Sequence, residues 1–120
     1  MTPQIERRAS PRASATYQIA YECFNARGDK VDTGMAQTVD ISGHGALVEM
    51  PRGVDLDASL ILWIMGPFHT LLIKGNVVHS RAAPNGHFHV GMKLTDVIEG
   101  TWGMWEQLVQ TRLEEESQSP

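Results

Sequence analysis

From Thr16 onward, apolar residues fall on every second position. Tyr17, Ile19, Tyr21 and Cys23 share one face, with Gln18 and Glu22 among those opposite, which is the pattern of a strand with one side buried. Asn25-Ala26-Arg27-Gly28-Asp29 has turn chemistry, and the extended pattern resumes from Met35 to Ile41. Ala46 to Met50 follows and is stopped by Pro51-Arg52-Gly53. Leu60 to Met65 is stopped by Gly66-Pro67. Leu71 to Ser80 reads as a fifth strand. Pro84-Asn85-Gly86 is a hairpin signal leading to a sixth, His87 to Leu94, in which Phe88, Val90, Met92 and Leu94 share a face. Strands at short intervals with no helical crossover predict an all-β antiparallel sandwich or barrel. Trp63 reads as core, and Met35, Met50, Met65, Met92 and Met104 as gap fillers.

The two ends depart from this period. Residues 1–15 hold Pro3, Pro11 and several arginines but little that enters a core, so they read as a flexible N-terminal arm. Asp96-Val97-Ile98-Glu99 fits a capping box, although Gly100 and Gly103 weaken the first turns. Trp102, Trp105, Leu108, Val109 and Leu113 recur at helical spacing, predicting an amphipathic C-terminal helix over 96–114 that packs as a lid on the preceding barrel, residues 16–95. Residues 115–120 are a polar tail.

Composition narrows the function classes. A chain of 120 residues with 42% hydrophobic content supports a single core. The formal charge of -4 and a pI near 5.6 speak against a DNA or RNA partner held by a broad positive field, but still admit a small anion at a local basic cluster. A single-stranded nucleic-acid binder also needs exposed aromatics, and aromatics make up only 7% of this chain. The lone Cys23 alternates with apolar neighbours and reads as core, so the cytoplasm is the expected compartment. The longest apolar run, Leu60 to Met65, is strand-sized, so neither membrane insertion nor a secretory signal is expected. His79, His87 and His89 lack a cysteine pair or carboxylate at a recognisable metal spacing. Ser42 and His44 lack an orienting acid. No metal ligand, cofactor or catalytic residue is assigned, and the chain is not read as an enzyme.

Two clusters carry chemistry. Arg8 and Arg12 stand in an R-x-x-x-R spacing, extended by Arg7. Pro11 disfavours helix at Ser10, and in an extended segment the pair can lie about 13 Å apart, a reach suited to two parts of one ligand. Arginine forks donate bidentately to phosphate or to guanine O6 and N7. A solvated basic arm has the same local sequence. The second cluster is Asp40-Ile41-Ser42-Gly43-His44-Gly45. Alternation places Asp40 and Ser42 on one face with Ile41 inward. Gly43 and Gly45 suggest a bend tolerant of positive φ with open backbone N–H groups. A tight turn stabilised by Asp and Ser reads identically.

Taken together in this order, Arg8-Ala9-Ser10-Pro11-Arg12 and Asp40-Ile41-Ser42-Gly43-His44-Gly45 resemble the two motif halves of the PilZ domain, R-x-x-x-R and [D/N]-x-S-x-x-G. Val90-Gly91-Met92-Lys93-Leu94 resembles that family's last barrel strand, and the likeness runs over about residues 6 to 113. The resemblance implies a six-stranded antiparallel β-barrel with a C-terminal α-helix. It further implies a bacterial receptor for cyclic di-GMP, with Arg8 and Arg12 gripping guanine edges and phosphates and Asp40, Ser42 and Gly45 forming the facing wall. Such a receptor changes conformation and signals through an effector protein. The alternative is a ligand-independent PilZ-like protein-interaction module, which retention of both motif halves disfavours.

Overall fold

The computed structural model describes residues 11–67 and 69–118. Seven strands, β1 (Ala13–Ser14), β2 (Gln18–Phe24), β3 (Lys30–Ile41), β4 (Gly45–Met50), β5 (Ser59–Met65), β6 (Thr70–Ala82) and β7 (Phe88–Glu99), precede one helix, α1 (Trp102–Ser117). All strand pairings are antiparallel. The order is β1-β3-β2-β5-β6-β7-β4, and pairing of β4 back onto β3 closes six strands into a barrel, leaving β1 as an added strand. The predicted all-β barrel with a C-terminal helix is the observed fold.

The alternation read from sequence decides the interior. Ile19, Tyr21, Val48, Leu62, Ile73 and Val90 are each at most 1% exposed and meet inside the barrel. Burying a side chain of this class contributes roughly 1.5–3 kcal/mol. Cys23 is buried with them. The Asn25 and Asn85 turns form as expected, each side-chain oxygen accepting an N–H two residues on.

Several expectations are corrected. Residues 13–15, read from sequence as part of a flexible arm, are packed on the barrel. Ala13 and Ala15 are 0% and 2% exposed, and Ala13–Ser14 lies beside Ile41 and Asp40 of β3. Alanines are small enough to tuck under the sheet where the chain continues the line of β2. Arg7 and Arg8 lie outside the described residues, and so does most of the predicted arm.

Asp96 to Glu99 is not a cap, because β7 continues to Glu99 along β6, held there by pairings such as Asp96 with Lys74 and Glu99 with Leu72. Gly100, at φ 97°, ends the strand, and Thr101 caps the helix by accepting the Met104 N–H at 3.0 Å. The helix thus spans Trp102–Ser117 rather than 96–114, and barrel strand reaches past residue 95. Trp63 is only partly buried, and Met35 and Met65 are exposed, because they stand on the outward phase of their strands. Met50 and Met92 do fill the core.

The helix covers the barrel through Trp105, Leu108 and Val109. Trp105 is fully buried, and its indole N–H donates to the Ser42 carbonyl at 2.9 Å. Arg112 donates twice to the Ser14 carbonyl, at 3.0 and 2.8 Å, and Glu116 accepts the Ser14 N–H. The helix is therefore fastened to the two segments that flank the predicted site. Among the described residues, no helix is long and apolar enough to cross a membrane.

Candidate functional site

The outer face of the barrel carries a row set by register. Ser14 pairs with Asp40, Asp40 with Leu47, Leu47 with Gly91, and Gly91 with His79, crossing five strands. On β3 both Thr38 and Ile41 are buried, an odd spacing that strict alternation forbids. A register irregularity between Thr38 and Asp40 absorbs the extra residue and turns Asp40 outward. Arg12 stands two residues before Ser14, and its Nη1 lies 3.9 Å from Asp40 Oδ2. Arg12, Asp40, Ser42 and Gly45 line one cavity of about 100 Å³, together with Val78 and His79. Four of the residues singled out in the two motif halves therefore meet.

The loop holding Ser42 is made by its own hydroxyl. Ser42 Oγ accepts the N–H groups of Gly45 at 3.1 Å and His44 at 3.4 Å, while the Ser42 N–H donates to the Gly45 carbonyl at 2.9 Å. The His44 carbonyl accepts the Leu94 N–H. Two of the backbone amides expected to stand open are thus engaged, and Ser42 shapes the wall as much as it decorates it.

Positive φ occurs at Gly28, Gly86 and Gly100 among the described residues, not at the motif glycines. Gly45 is required for a different reason. A Cβ there would sit 2.5 Å from the Met92 carbonyl oxygen, so β4 and β7 approach too closely for a side chain. Leu47, Val78, His79 and Gly91 join this wall only through register and were not among the residues expected to form it. The one trace of them is the Val77-Val78 doublet, which breaks the alternation of β6.

Two further polar clusters lie on the barrel. Glu49 accepts from Asn85, His87 and His89, and the bond to His87 is the largest cause holding its carboxyl below the usual range. Asp32 is held below its ordinary value chiefly by the Arg52 fork, with further donors from Tyr21 and the Thr33 N–H. Among the described residues, no group of three or more His, Cys, Asp or Glu is arranged to hold a metal ion.

Solved structures give the fold independent support. The chain is similar to the inhibitor of motility MotI/DgrA of Bacillus subtilis (TM-score 0.70, 18% identity), covering 92% of this chain but 52% of that one. It is also similar to the PilZ domain of YcgR from Escherichia coli, solved with c-di-GMP (TM-score 0.61, 11% identity, 92% and 94% covered). A third is the PilZ domain of CeSA from a cellulose-synthesizing bacterium (TM-score 0.56, 19% identity, 88% and 98% covered). The chain thus spans about half the length of MotI/DgrA and nearly all of the two isolated domains. At these identities the likeness speaks to fold alone. Among curated proteins, none matches this chain. The PilZ domain model, however, matches residues 6–111, which include both motif halves and every strand of the barrel, and the chain therefore belongs to the PilZ domain family.

Proposed function

We propose that this chain, a member of a cyclic di-GMP receptor family, itself binds cyclic di-GMP on the outer barrel wall and passes the signal to a protein partner. The observation that carries this reading is the meeting of Arg12 with Asp40, Ser42 and Gly45 around one cavity. Asp40 accepts from guanine N1–H and N2–H, and Arg12 donates its fork to phosphate or to guanine O6 and N7. Ser42 and Gly45 hold the wall in shape, as their loop bonds and close strand approach require.

The electrostatics suit an exchange of partners. The Arg12 side chain is 68% exposed, and its 3.9 Å pairing with Asp40 belongs to the class of surface ion pairs worth about 0–1 kcal/mol. A ligand therefore displaces it at small cost. Arg12 adjoins the buried Ala13, so fixing Arg12 on a ligand immobilises a side chain whose backbone is already held.

A cavity of about 100 Å³ is smaller than the roughly 300–1,000 Å³ of complete ligand pockets, so it seats one base or phosphate and not a whole cyclic dinucleotide. Arg8, with Arg7 beside it, supplies the remaining grip in this proposal, closing over the ligand from the arm. Arm closure next to Ser14, to which Arg112 and Glu116 are bonded, would alter the surface offered to a partner.

The test is titration with cyclic di-GMP, with GTP and cyclic GMP as controls. Saturable binding of the cyclic dinucleotide alone is expected. Equal response to all three would reduce the site to a general anion sink.

A further inference from the structure

The cavity wall contains a residue that neither motif half includes. On β6, Val77 is buried and pairs with Met92, whereas His79 pairs with Gly91, and the extra residue, Val78, is absorbed by a register irregularity between them. Strict alternation would put His79 inward beside Val77. The irregularity turns it outward onto the face that carries Asp40, just as the one on β3 turns Asp40. Each side of the cavity thus has its own bulge, and each bulge aims one side chain at the same space.

The imidazole is placed by packing. A Cβ at Gly91 would lie 2.3 Å from His79 Nε2 and 2.7 Å from each flanking ring carbon, distances that put it above the ring plane and not at its edge. The ring therefore lies face-on over Gly91, and only glycine permits that seat. His79 Nδ1 is buried and has no hydrogen-bond partner among the described residues, so no bond through that nitrogen fixes the ring orientation. The exposed Val78 side chain borders it, adding an apolar margin to the same cavity.

We propose that His79 is a ligand-contacting residue of this site, its imidazole forming the flat platform on which one guanine base of cyclic di-GMP stacks. The inference rests on the cyclic di-GMP reading above. With Asp40 and Arg12 used at the edges and phosphates of such a ligand, the base plane is left for another group. A planar ring seated across the cavity from them is such a group, and stacking tolerates the absence of a directed hydrogen bond from the platform.

The experiment is titration of cyclic di-GMP into the full chain and into His79→Ala, His79→Phe and Asp40→Ala, with the thermal midpoint of each variant recorded. His79→Ala is expected to weaken binding roughly 5- to 100-fold, the range of base stacking on an aromatic side chain, while His79→Phe stays within about threefold of the parent. In the unaltered chain, the His79 ring protons should move upfield as ligand is added, from the ring current of the stacked purine. That readout decides the matter even if His79→Ala fails to fold. Parent-level affinity in His79→Ala, with Asp40→Ala impaired, overturns the platform and leaves the receptor reading standing. A folded His79→Phe that is as weak as His79→Ala overturns stacking, as does an unmoved His79 spectrum at saturation. Failure of the parent chain to bind removes both proposals together.

Discussion

Two arginine–aspartate pairs have their carboxylates on strand β3, eight residues apart, and they are alike in composition but not in geometry. Asp32 receives Arg52 through Nη2 at 2.8 Å and Nε at 3.1 Å, and also the Tyr21 hydroxyl at 3.0 Å and the Thr33 N–H at 2.8 Å. Asp40 has a single ion-pair contact among the described residues, Arg12 Nη1 at 3.9 Å. Exposure does not separate them, since the aspartate side chains are 27% and 21% exposed and the arginines 60% and 68%. Geometry does. The first carboxylate is saturated by the protein's own donors, and such a bidentate pair holds a fixed shape. The second keeps its acceptor capacity for a partner from outside. The same two residue types make a saturated brace at one place and an open, loosely paired carboxylate at the other, according to how many donors the register brings to the carboxylate.

The comparison breaks most visibly if the two aspartates are exchanged in importance. Asp40→Ala and Arg12→Ala should each lower cyclic di-GMP affinity roughly tenfold to a hundredfold, the worth of a charge-assisted hydrogen bond, while leaving the thermal midpoint nearly unmoved. Calorimetry combined with thermal denaturation reads both quantities. Arg12→Lys keeps the charge and loses the fork, so an intermediate loss of about five- to tenfold is expected on titration. Parent-level affinity there would mean that charge alone suffices.

Tyr21→Phe tests the brace. Removing its hydroxyl from Asp32 should cost about 0.5–1.5 kcal/mol in denaturant unfolding and leave ligand affinity unchanged. The smallest effect is in acid. The Asp32 pKa is lowered in the folded chain, so its contribution to stability is complete above its ordinary value of 3.8 and is lost as pH falls from there through the folded value. Asp32→Asn should flatten that acid limb of the stability profile. Glu49, lowered by His87 first, contributes in the same direction. An unchanged profile in Asp32→Asn would show that the brace carries no such linkage.

How much of this was legible in the chain follows from what each feature depends on. The strands were readable because one-sided burial leaves a period of two, as in Ile19, Tyr21 and Cys23. Ser42 and Gly45 could be singled out because a local turn joins them, and Asp40 because it stands two residues before that turn on the strand leading into it. Gly45 was named for the wrong reason, since its need arises from the Met92 carbonyl 47 residues away and not from its own φ. The place of His79 and Val78 in the cavity wall could not be read, because a register irregularity on β6, defined only by its pairing with β7, decides which way they face. The helix start was misplaced for a related reason. Asp96 to Glu99 carries a cap-like pattern, but pairing with β6 claims those residues first, and the cap falls to Thr101.

Calorimetric titration of cyclic di-GMP into the parent chain, Asp32→Ala and Asp40→Ala separates a ligand-binding role at Asp40 from a bracing role at Asp32. Saturable binding of the parent at micromolar affinity or tighter is expected, with similar affinity in folded Asp32→Ala and at least about tenfold weaker binding in Asp40→Ala. A parent chain silent up to about tens of micromolar, or equal affinity in all three proteins, would contradict that division of roles.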